Sequence, residues 1–110
     1  MDSLILKKPL LVNGVEIKEL QCNLDELTAF DMERAGKLEK KDGNFINVVE
    51  LDAGYHFKIF CVAVTKYQQD ITISDLERLG AKDYTEAVRG VRNFFFGSSE
   101  ELSREITGGE

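Results

Sequence analysis

Residues Leu4–Val12 form an apolar stretch that is in part β-branched. Asn13-Gly14 follows, and Val15-Glu16-Ile17-Lys18 then alternates apolar with polar. A two-residue Asn-Gly loop suits a type I′ turn, because both residues tolerate positive φ and the turn's twist matches that of the flanking strands. The pattern predicts an N-terminal β-hairpin over residues 4–22. Val15 and Ile17 share one face, whereas Leu20 and Cys22 share the other. That slip predicts a bulge or a strand end near Glu19. Pro9 has no N–H to give a ladder, so an edge position of the first strand suits it.

After the hairpin the spacing turns helical. Thr28 can cap a helix, with Asp31 three residues on, where the dipole favours an acid. Leu27 and Met32 stand at the positions of a hydrophobic staple. Gly36 is expected to end this helix, and the charged run Lys37 to Asn44 reads as a solvated loop. Within Val48 to Gln69, the run Ile59–Val64 has strand-like propensity. The segment's length of about 20 residues, without a turn signal after Gly54, favours a helix. Phe57, Phe60, Cys61 and Val64 would then share a face. Ser74 with Glu77 suggests a capping box for a short helix that Gly80 stops. Asp83 would cap the next helix, along which Tyr84, Ala87, Val88, Val91, Phe94 and Phe95 make one apolar stripe. The expected fold is α+β, mainly α: the hairpin followed by three or four helices. One domain would span residues 1–97, with a polar tail over 98–110.

Composition narrows the functional classes. The 110 residues include 20 acidic and 14 basic side chains, for a net charge of −6. Such a chain repels phosphates and anionic lipid, which argues against nucleic-acid and membrane partners. No apolar run approaches the ~20 residues of a membrane helix, and the opening residues lack the order of a secretion signal. Cys22 and Cys61 stand far apart without metal-ligand neighbours. They read as reduced, packed side chains in a cytoplasmic protein.

Chemistry is hard to assemble from what remains. His56, the single histidine, sits between Tyr55 and Phe57 with no evident acid–base partner. The serines fall in caps or termini, and no phosphate-binding glycine loop occurs. Asp25-Glu26 and Asp31-Glu33 read as caps and solvated charge. No catalytic residue, metal ligand or cofactor site is expected. Phe94-Phe95-Phe96 stands out, because three consecutive helical residues span about 200° and cannot all face one core. One of them should face a second surface, either an internal neighbour or a protein partner.

The order of these segments resembles the tail assembly chaperones of tailed phages, in the short type of contractile-tailed phages and Mu-like or P2-like prophages. The carrying motifs are LKKPLLVNGVEIKELQ from Leu6, LTAFDMERA from Leu27, and ISDLERLGAKDYTEAVRGVRNFF from Ile73. The loop Glu39 to Leu51 departs from the pattern. The resemblance implies a non-catalytic chaperone in the host cytoplasm, absent from the mature virion. It would bind the tape-measure protein, keep it soluble and help recruit tail-tube subunits, with self-association left open. Tyr55, Phe57, Phe94, Phe95 and Phe96 are the expected contacts for such a partner. A small acidic regulatory or adaptor domain is the alternative. An enzyme with His56 and acids converging across a dimer interface is a third reading.

Overall fold

The computed structural model describes residues 3–44, 48–49 and 51–96, so the polar tail lies outside the described residues. Strands β1 (Ser3–Val12) and β2 (Val15–Gln21) form an antiparallel hairpin, and a 3-10 turn follows at Leu24–Glu26. Helices α1 (Ala29–Lys41), α2 (Ala53–Tyr67), α3 (Ile73–Leu76) and α4 (Ala81–Phe95) complete the order. The fold is α+β and mainly α, as the pattern predicts. Asn13 and Gly14 both have positive φ, at 51° and 80°, as the turn requires.

The hairpin is irregular next to Glu19. Ile5 pairs with Glu19 and Leu10 with Ile17, so five steps along β1 are matched by two along β2. The extra residues are on β1, and β2 continues to Gln21. Within this bulge the Lys7 and Lys8 N–H groups donate to the two carboxylate oxygens of Asp83, at 2.8 and 3.0 Å. Pro9 has no N–H to contribute there. Leu4, Leu6, Leu10, Val12 and Leu20 are buried, while Ile5 and Leu11 face outward.

Asp83 therefore does not cap α4. The N-cap is Gly80, without a side-chain hydrogen bond, and Asp83 is the third helical residue. Its carboxylate is buried and engaged by the bulge instead. The cap of α3 also differs from the expected Ser74. Thr72 and Asp75 form the reciprocal box, two residues earlier. At α1 the Thr28–Asp31 box is present as read.

Gly36 does not end α1, which runs on through Lys41. A mid-helix glycine costs about 1 kcal/mol relative to alanine, yet Leu38 and Glu39 beyond it pack inward. The Tyr55 ring lies 3.7 Å from where a Gly36 side chain would begin. The helix stops at Gly43, φ 84°. There the Gly43 N–H reaches the Lys40 carbonyl at 2.9 Å and the Asn44 N–H reaches the Glu39 carbonyl at 3.3 Å. This is a Schellman ending.

Helix α2 occupies the centre, in contact with α1, α3, α4 and β2. Every residue from Tyr55 to Val64 is buried. A helix covered on all sides needs no polar stripe. That explains why Ile59–Val64 resembles a strand in composition, and why Phe57, Phe60, Cys61 and Val64 are only part of the buried set. Burial pushes the Cys61 thiol up to about 12.

One charged group enters this packing. Lys58 bonds Glu39 at 3.2 Å and Asp42 at 2.7 Å. Burial opposes the ammonium charge, but the hydrogen bonds to Asp42 and Glu39 outweigh it and hold its pKa above the usual lysine value. A Cβ at Gly54 would overlap the Glu39 carboxylate, so glycine lets α1 and α2 close over the pair.

Two stability predictions follow from these contacts. Asp83→Ala removes the acceptor of two N–H groups and should cost about 3 kcal/mol in urea unfolding, with Asp83→Asn in between. Gly54→Ala should cost about 2 kcal/mol through overpacking. Combined with Glu39→Ala, it should show a coupling of about 1 kcal/mol or more; strict additivity would mean the carboxylate is not the obstacle.

Candidate functional site

The aromatic residues singled out by sequence divide into covered and open groups. Tyr55 lies in the first turn of α2, where its N–H donates to the Asp52 cap at 2.8 Å. It is buried, its hydroxyl donates to the Met32 carbonyl at 3.3 Å, and burial raises its pKa. Phe57 is also buried. Its ring lies 4.9 Å from Tyr84, near the start of α4, and 6.3 Å from Phe60.

The last turn of α4 carries the three phenylalanines. Phe95 is half-buried, stacked on His56 at 4.9 Å and tilted against Tyr55 at 6.1 Å. Phe94 meets Phe95 edge-on at 6.1 Å but remains 38% exposed. Phe96, the C-cap residue, is 40% exposed. The structure thus brings Tyr55, His56 and Phe95 together, with Phe94 and Phe96 open on either side. Phe57 belongs to a separate contact with Tyr84. The predicted stripe on α4 is buried at Ala87, Val88 and Val91, whereas Tyr84 joins Phe94 among the exposed residues.

His56 is fully buried, and its Nε2 donates to the Val49 carbonyl at 2.8 Å. With Phe95 stacked on its ring, it is a packed histidine that helps hold α4 against α2. Among the described residues, no group of three or more His, Cys, Asp or Glu side chains is arranged to hold a metal ion.

A second surface escaped the sequence reading. Phe30 is 72% exposed on α1. Arg34, Lys37 and Lys41 follow it at spacings that keep one helical face, with Lys40 alongside. Among the described residues, none of these cations has an ion-pair partner. Several acids of this region are engaged by lysines of α2: Glu39 and Asp42 bond Lys58, and Asp31 bonds Lys66 at 2.9 Å, whereas Glu33 stays exposed beside the cations. The Thr28 N–H and Lys66 hold the Asp31 carboxyl below its usual value. Next to the cations runs a groove of about 440 Å³, lined by Met32, Glu33, Gly36, Lys37, Lys40, Val49 and Tyr55. The charge spacing was legible in the sequence, but the pairing that draws Asp31, Glu39 and Asp42 to Lys58 and Lys66 was not.

A small, mainly helical α+β body with aromatic side chains grouped at the end of its last helix is the class these features define. The chain belongs to a family described as phage tail assembly chaperone proteins, E, or 41 or 14, whose model matches residues 3–95. Membership makes it an assembly chaperone of phage tails, and implies a non-catalytic role with protein partners in the tail. No curated protein and no solved structure matches the chain. Among the described residues, no helix is long and apolar enough to cross a membrane.

The division among the phenylalanines is testable by stability alone. Phe95→Ala should cost about 2 kcal/mol, from lost burial and ring stacking. Phe94→Ala and Phe96→Ala should each cost under about 1 kcal/mol in the same denaturant titration.

Proposed function

We propose that this chain binds the tape-measure protein, keeps it soluble in the host cytoplasm and helps recruit tail-tube subunits, then leaves before the virion is complete. Membership of the chaperone family supports the class of activity. The observation that supports this binding mode is the end of α4, where Phe94 and Phe96 stand 38% and 40% exposed around an anchored Phe95. A tape-measure segment exposes apolar helix faces before the tube closes around it. Two aromatic rings held apart by a packed third can receive such a face, as in helix-in-groove recognition. Aromatic side chains suit the task because they bury a large area and lose little rotamer entropy. Tyr55 supports this surface from beneath through Phe95, whereas Phe57 packs on Tyr84 at the other end of α4.

The experiment is co-expression with the tape-measure protein, followed by pull-down. The wild-type chain should shift the tape measure into the soluble fraction. Phe94→Glu with Phe96→Glu should abolish capture while the far-ultraviolet circular dichroism and melting profile are retained. Capture that survives the double substitution would exclude this surface; a tape measure that stays insoluble with the wild-type chain would exclude the function.

A further inference from the structure

We infer that the acidic segment after α4, residues 97–110, docks back into the groove on α1 beside Tyr55. This inference stands apart from the tape-measure reading, because it uses a different surface and an occupant within the chain.

The geometry starts at the end of α4. Phe95 lies 6.1 Å from Tyr55, and Tyr55 lines the groove with Met32, Glu33, Gly36, Lys37, Lys40 and Val49. The last turn of α4 therefore packs on a residue that also lines the groove. Leu102 is six residues beyond Phe96, a reach of up to about 20 Å. No long crossing is needed.

The chemistry of segment and groove is complementary. Residues 97–110 contain Glu100, Glu101, Glu105 and Glu110 against a single basic residue, Arg104. Their two large apolar residues are Leu102 and Ile106. The groove offers apolar atoms of Met32, Val49 and Tyr55 beside Lys37 and Lys40, with one acid, Glu33, in its lining and Arg34 and Lys41 on the adjoining face, so cations outnumber acids there. Asp31, Glu39 and Asp42 are already bound by Lys58 and Lys66, which leaves Glu33 as the acid beside these cations in the groove. The cationic side of α4 is a poorer seat, since Glu86 already holds Arg89 at 2.7 Å. A short tether gives an effective concentration of roughly millimolar, so weak contacts are enough for substantial occupancy. So seated, the segment competes with any acidic, apolar segment that approaches the same groove.

The test uses the full chain. A nitroxide is attached at Thr107→Cys; Cys22 and Cys61 are fully buried and resist labelling. The amide signals of Gly36, Lys37 and Lys40 should lose most of their intensity, while those of Asn13 and Gly14 at the hairpin tip keep theirs. Lys37→Glu with Lys40→Glu should restore the α1 signals, and Lys82→Glu with Arg92→Glu should not. Loss confined to α4, no loss at α1, or loss that survives the α1 charge reversal overturns the inference. So does equal loss in an isotope-labelled chain mixed with a separately spin-labelled one, which would assign the groove to the tail of a second copy.

Discussion

The carboxylate of Asp83 decides how the two halves of this molecule are joined. A two-stranded hairpin is marginal by itself and needs a body to pack on. Here its first strand is interrupted, and the displaced Lys7 and Lys8 N–H groups meet one buried acceptor on α4. An apolar residue at that position would leave two donors facing a covered surface, which is more costly than losing an ordinary exposed hydrogen bond. The bulge and the helix are therefore mutually dependent. With β1 held in place, Leu4, Leu6, Leu10 and Val12 turn toward the core, and α4 is aligned so that Ala87 and Val91 face α2.

A second constraint follows from the burial of α2. A central helix with Tyr55 to Val64 covered leaves Lys58 enclosed, and an enclosed ammonium must be paired. Glu39 and Asp42 meet that requirement from α1, and the missing side chain of Gly54 provides the room. The consequence appears on the opposite face. With Asp31 and Glu39 engaged by lysines of α2, α1 presents Arg34, Lys37, Lys40 and Lys41 outward against a single exposed acid, Glu33, so a protein of net charge −6 carries a mainly cationic helix face. Net charge described the whole chain correctly but did not describe this surface.

The contrast shows what local sequence carries. The hairpin was legible because Asn13-Gly14 selects its turn type without help from distant residues. The Thr28–Asp31 box was legible for the same reason, since both partners lie within one turn. Errors arose where a tertiary contact overrode a local preference. Asp83 resembles a cap until the β1 bulge takes its carboxylate. Gly36 resembles a terminator until inward packing beyond it carries the helix to Gly43, with Tyr55 close alongside. Ser74 lost to Thr72 because Thr72 and Asp75 satisfy the box reciprocally, two residues earlier. The candidate site was legible in its composition and not in its division of labour. Tyr55, Phe57 and the Phe94–Phe96 run stood out as aromatics, but which of them lies against the core depends on where α2 passes.

That division follows from helix geometry. Successive side chains turn by about 100°, so three aromatics in a row cannot pack as one unit. Phe95 takes the inward direction and stacks on His56 and Tyr55, which fixes the end of α4 against the start of α2. Phe94 and Phe96 are then held apart by a residue that cannot move without breaking core contacts. Their exposure is a result of that anchoring, because the same stacking that seats Phe95 directs its neighbours away from the core. An aromatic surface attached in this way is preorganised, so a partner that buries it need not first order the backbone that carries it. Two exposed rings offer only modest area, so the client proposed above could be taken up on this surface and still released.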